Sequence, residues 1–144
     1  MSTEFFEQVA DALVGLVPPE LGPPSTRLTS VNLKAWFDDE HHEHYEAQLL
    51  ADGTLEVGFH AEHRSPERNE AVVARLLAQE RAWRGRLGRA TTAGAFLGMP
   101  RGAWRRVSEV VPAPRRFDVD AALDVAERLA TYVEVLEPLR VERP

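Results

Sequence analysis

The stretch His44-Tyr45-Glu46-Ala47-Gln48-Leu49-Leu50-Ala51-Asp52-Gly53-Thr54-Leu55-Glu56-Val57-Gly58-Phe59-His60-Ala61-Glu62 decides the fold. Tyr45, Ala47, Leu49 and Ala51 alternate with mostly polar residues, and so do Leu55, Val57, Phe59 and Ala61, the period of a strand with one buried face. Asp52-Gly53 between the runs is a strong turn signal, so the stretch predicts an antiparallel hairpin. A three-residue loop containing the glycine pairs Ala51 with Leu55, Leu49 with Val57, Ala47 with Phe59 and Tyr45 with Ala61. A slip of one residue would mix apolar and polar side chains on both faces. In this register the second face carries His44, Glu46, Gln48 and Leu50 beside Glu56, Gly58, His60 and Glu62, with Glu46 opposite His60 and His44 opposite Glu62.

Upstream, Val31, Leu33, Ala35 and Phe37 predict a strand from about Arg27 to Phe37, which completes a three-stranded meander through the acidic, histidine-rich loop Asp38 to His44. Phe5, Phe6, Val9, Leu13, Leu16 and Val17 recur at helical spacing and predict an N-terminal helix. Pro18-Pro19 ends it, and residues 18–26 form a proline-rich connector. Downstream, Ser65-Pro66-Glu67 starts a helix expected to run to about Arg84, with Trp83 on its apolar side, before Gly85 and Gly88. A short strand at Ala93 to Leu97, a turn at Met99-Pro100-Arg101-Gly102 and a strand at Trp104 to Val111 follow. Asp118 caps a last helix expected to stop at Glu137-Pro138, leaving a frayed tail over 140–144. The expectation is one α+β domain over residues 1–144, an antiparallel sheet of that meander plus one or two further strands, packed by N-terminal, central and C-terminal helices.

This order, helix, three strands, helix, two strands, helix, resembles the αβββαββα pattern of secretion-chaperone-like and YbjN-like domains across the whole chain. The resemblance lies in element order and implies a domain that binds other proteins and dimerises.

Composition narrows the functional classes. The chain has no cysteine, which excludes disulfides, thiol catalysis and thiolate metal sites. No apolar run approaches the roughly 18 residues of a membrane span, and Met1-Ser2-Thr3-Glu4 lacks the basic and apolar segments of a secretion signal, so a cytoplasmic location without membrane contact is expected. A net charge of −6 opposes generic nucleic-acid binding. None of the serines sits in a nucleophile-elbow sequence, and no phosphate-loop spacing occurs.

Three features carry candidate chemistry. His44, Glu46, His60 and Glu62 form two His-x-Glu segments that can converge on a divalent metal, with Asp38, Asp39, His41, His42 and His63 near in sequence. Residues 81–116 hold nine arginines against one acid, Glu109, whereas residues 1–63 hold twelve acids against Arg27 and Lys34. Arg105-Arg106 and Arg115-Arg116 thus offer an anion site, with ion pairing to the acidic first half as the structural counterpart. Trp36 falls on the polar side of its strand, and an uncovered tryptophan there marks a partner surface; Trp83 and Trp104 are the stacking candidates for a nucleic acid, with packing as the structural alternative.

The sequence thus favours a non-enzymatic binding module, homodimeric, taking a protein or a small anionic ligand through Trp36, Trp104, Arg105 and Arg106 and needing no cofactor. A metal-dependent, hydrolase-like enzyme using the His/Glu cluster is the first alternative. Nucleic-acid binding through residues 81–116 is the second.

Overall fold

A computed structural model of the chain describes residues 2–97 and 102–141. Helix α1 (Glu4–Leu16) leads through a short 3-10 turn at Pro19–Leu21 into β1 (Ser25–Leu28), β2 (Asn32–Trp36), β3 (Glu43–Leu49) and β4 (Leu55–Ala61). Then come α2 (Pro66–Leu77), α3 (Glu80–Leu87), β5 (Thr92–Ala95), β6 (Arg105–Val111) and α4 (Val119–Arg140). All six strands join one antiparallel sheet in the order β1-β2-β3-β4-β6-β5. The fold is α+β, with the N-terminal, central and C-terminal helices on the sheet.

Alternation along the strands separates the two faces. Leu33, Ala35, Tyr45, Ala47, Leu55, Val57, Phe59, Ala61 and Val107 are buried against Phe6, Val9 and Leu13 of α1, Val73 and Leu76 of α2, and Leu129, Val133 and Leu136 of α4. Burying each of the valine, leucine and phenylalanine side chains contributes about 1.5–3 kcal/mol.

The fold differs from the expected outline at several points, and the two breaks and the longer last helix have local causes. The predicted strand over Arg27 to Phe37 is two strands: Thr29 Oγ1 accepts the N–H groups of Val31 and Asn32 and folds the chain into a tight turn. The connector is correspondingly shorter, since β1 begins at Ser25. The helix expected from Ser65 to Arg84 breaks at Ala78-Gln79; the indole N–H of Trp83 donates to the Leu76 carbonyl at 2.8 Å and so satisfies the end of α2. Glu137-Pro138 does not stop α4, which runs on to Arg140 because that side chain is anchored. The short strand is Thr92–Ala95 rather than Ala93 to Leu97. Met99, Pro100 and Arg101 of the expected turn, and residues 142–144 of the expected frayed tail, lie outside the described residues. Trp83 is fully buried, as its helix position predicts.

The hairpin register also departs from expectation, and by two residues. Leu49 pairs with Leu55, Ala47 with Val57, Tyr45 with Phe59 and His44 with His60. Leu50 and Thr54 close the loop, leaving Ala51-Asp52-Gly53 between them, and Gly53 takes φ +88°. A three-residue hairpin loop needs a left-handed residue at its third position, and only a loop ending on Gly53 places glycine there. The expected loop would have put Thr54 in that conformation. An even shift keeps every side chain on its predicted face.

Gly58 lies on the face away from the helices, between Glu46 of β3 and Ser108 of β6. Its φ is +155°, and an added Cβ would come within 2.5 Å of Ser108 Cα and Cβ and of the Val107 carbonyl oxygen. Gly58→Ala is therefore expected to destabilise the protein by about 2–4 kcal/mol, combining a disfavoured backbone conformation with overpacking between central strands. Urea denaturation measures this; a loss under about 0.5 kcal/mol, the range of a neutral surface change, would contradict the packing described.

Candidate metal centre

The sheet face away from the helices is polar, yet His44, Glu46, Glu56, His60, Arg106 and Ser108 on it are all buried. Adjacent pairing puts His44 opposite His60, and Glu46 and Glu62 reach the two imidazoles diagonally. The expected pairs, Glu46 with His60 and His44 with Glu62, are thus diagonal neighbours instead of direct partners. Even so the four predicted ligands converge, with one ligand atom from each lying within 4.8 Å of all the others.

Nitrogen and oxygen alternate around the cluster. His44 Nε2 lies 2.9 Å from Glu46 Oε1, which lies 3.1 Å from His60 Nδ1; that nitrogen is 2.9 Å from Glu62 Oε2, and the ring closes over 3.7 Å back to His44. Four ligands at zinc distances of about 2.0–2.2 Å stand about 3.3 Å apart in a tetrahedral shell, within the range of these edges.

Each ligand's other polar atom is held from outside. His44 Nδ1 is 2.9 Å from the His41 carbonyl oxygen, and His60 Nε2 is 2.7 Å from Glu56 Oε2. Asn32 Nδ2 donates to Glu46 Oε2 and Lys34 Nζ to Glu62 Oε1, both at 3.2 Å. Glu56 is itself fixed by donors, Gln48 Nε2 at 2.7 Å and Ser108 Oγ at 2.5 Å. Ligating histidines ordinarily donate their second N–H to a carbonyl or carboxylate, and both partners are present here.

The histidines cannot be satisfied as neutral rings without a cation. The carbonyl beside His44 Nδ1 only accepts, so that nitrogen carries the hydrogen and Nε2 would turn a lone pair toward Glu46 and Glu62. His60 has carboxylates at both nitrogens. Burial opposes charge on His60, but Glu56, Glu46 and Glu62 outweigh it and hold its pKa well above the ordinary histidine value. Burial likewise opposes charge on those carboxylates, but hydrogen bonds from His44 and His60 bring Glu46 below the usual range, His60 with Ser108 and Gln48 does so for Glu56, and His60 with His44 for Glu62.

The outer glutamate was not among the residues singled out from sequence. Glu56 and His60 are four positions apart on one strand, roughly 13 Å between Cα atoms, and their side chains meet across Gly58, which has no side chain to stand between them. A lone glycine inside a strand pattern is the signal that marks such a place. Phe96, also unpredicted, stands with its ring edge-on to His60, centroids 5.0 Å apart, and Trp104 packs edge-on against Phe96.

Trp36 is half-buried and does not form an open patch; with Trp104, His41, His42, His44 and Glu62 it lines a cavity of about 240 Å³ beside the cluster. Arg105 and Arg106 point to opposite faces and do not share a site. Arg105 pairs with Glu70 of α2, whereas Arg106 lies on the polar face and donates to Ser108 Oγ at 2.8 Å. The other paired arginines of residues 81–116, Arg84 and Arg86, meet Glu80 and Glu134 on helices rather than the acids of residues 1–63. Glu40, His41 and His42 form a second, more exposed group of possible ligands.

The loop holding these histidines is tied to the far end of the chain. Arg140 donates to Glu137 of its own helix, to Glu43 Oε1 and to Asp38 Oδ2, each within 2.9 Å. Tyr45 Oη donates to the same Glu137, and Glu43 Oε2 meets His63 Nε2 at 2.7 Å.

No protein-family model matches the chain, and neither a curated protein nor a solved structure matches it. Among the described residues no helix is long and apolar enough to cross a membrane.

The metal-free cluster has a defined pH response. His60 has a raised folded pKa, so its contribution to stability is whole below about 6.5 and is lost as pH rises through the folded value. The three carboxylates are shifted down, so theirs is whole above about 4.5 and is lost as pH falls through their folded values. In the presence of a chelator, the urea midpoint is expected to fall on both sides of that window, and His60→Ala to flatten the alkaline limb. An alkaline limb identical in His60→Ala would refute the charge assignment.

Proposed function

We propose that this protein is a divalent-metal-binding module that holds a first-row transition ion, zinc in the first instance, between His44, Glu46, His60 and Glu62. One observation carries the reading: both imidazoles have their outer nitrogens engaged by acceptors while their inner nitrogens face the same two carboxylates. A dication at the centre would take the inner lone pair of each neutral ring and meet both carboxylates at once. Nitrogen and carboxylate donors without thiolate suit zinc, iron(II) or manganese(II) rather than copper(I). Hydrolytic zinc sites leave a coordination position to water, whereas four side chains converge here, which supports binding over hydrolysis.

Protein purified without an affinity tag is expected to carry about one equivalent of metal by elemental analysis, and stripped protein to rebind zinc with a Kd well below about 10 µM. His60→Ala should abolish that binding. Glu56→Gln, which keeps the shape of the outer partner, should weaken it by about 10–100-fold. If no metal is retained, none binds in that range, and the ring nitrogens of His44 and His60 are unchanged by excess zinc in NMR, the reading is overturned.

A further inference from the structure

We infer that the cavity beside this centre is a binding site for a small carboxylate with a flat apolar body, whose carboxylate is shared between Arg27 and the metal. The inference rests on the metal reading and adds a ligand to it. Of the four candidate metal ligands, only His44 and Glu62 line the cavity, and their 3.7 Å separation is the widest edge of the cluster. Among the described residues, a further donor atom can thus reach the ion from the cavity through that edge, and zinc shells expand from four to five ligands.

The remaining walls set the chemistry of what enters. Arg27 and Lys34 are directly paired residues of β1 and β2 and both line the cavity. Lys34 is engaged by Glu62, whereas Arg27 is exposed and has no hydrogen-bond or ion-pair partner among the described residues. Among the described residues Arg64, Arg81, Arg89, Arg115 and Arg116 also have no ion-pair partner, and Arg27 is the unpaired guanidinium that lines this cavity. A guanidinium offers a fork of donors matched to a carboxylate. Trp36 and Trp104 supply aromatic wall, and neither indole N–H has an acceptor among the described residues, so the cavity presents donors and ring faces to an incoming molecule. Its volume of about 240 Å³ gives room for a single-ring carboxylate.

Cobalt(II) in place of zinc makes both steps visible, because its visible absorption reports coordination number. With cobalt bound, benzoate is expected to weaken and shift that absorption in a saturable way, and acetate to do so more weakly. Neutral benzamide should leave the spectrum unchanged. Arg27→Ala, at an exposed position without partners, should keep cobalt affinity and weaken benzoate by about tenfold or more, the scale of a lost charged hydrogen bond. A cobalt spectrum that benzoate does not alter, or benzoate affinity unchanged in Arg27→Ala, overturns this inference and leaves the metal reading in place. Absence of any cobalt spectrum overturns both.

Discussion

A charge withdrawn from water has to be met where it lies, and the polar face of this sheet is organised by that constraint. Glu46, Glu56 and His60 are almost wholly buried, where an unpaired carboxylate would cost several kcal/mol. Each is placed among counter-charges and donors from neighbouring strands: Asn32 and Lys34 on β2, Gln48 on β3, Ser108 on β6. The side of the sheet without helices is thus a second interior built from hydrogen bonds, and the fold holds two cores of opposite chemistry on one set of strands. No buried side-chain nitrogen or oxygen among the described residues lacks a partner.

Sheet parity was the most legible property of the sequence. Tyr45, Ala47, Val57 and Phe59 had to share a face, and that alone consigned His44, Glu46 and His60 to the other. Exact pairing was harder to read, because two loop placements give the same faces; only the backbone demand at Gly53 separates them. The cluster survived the difference because a glutamate reaches a diagonal neighbour as readily as a direct one. The turn at Thr29 and the break at Gln79 were hidden for another reason. Both depend on side-chain bonds to the backbone, from Thr29 Oγ1 and the Trp83 indole, which leave the apolar pattern unbroken.

The arginine-rich half divides into paired and unpaired cations. Arg84, Arg86 and Arg105 meet glutamates on the helices and Arg106 is folded into the polar layer, whereas Arg81, Arg89, Arg115 and Arg116 have no partner among the described residues. In the acidic half Arg27 is likewise unpartnered; the sequence placed it at the start of a strand and gave it no role. Position within the fold decides which unpaired cation faces the cavity, and of the described arginines Arg27 lines it.

The clamp formed by Arg140 bears on the wall of the cavity. One guanidinium grips Asp38 at the start of the histidine loop and Glu43 at its end, while Glu137 holds that guanidinium in place from the same helix. The segment carrying His41 and His42 is thereby given its shape by the last turn of the chain. Its conformational freedom is surrendered when the protein folds, so a guest arriving there meets a surface already set and does not have to bear that entropy itself.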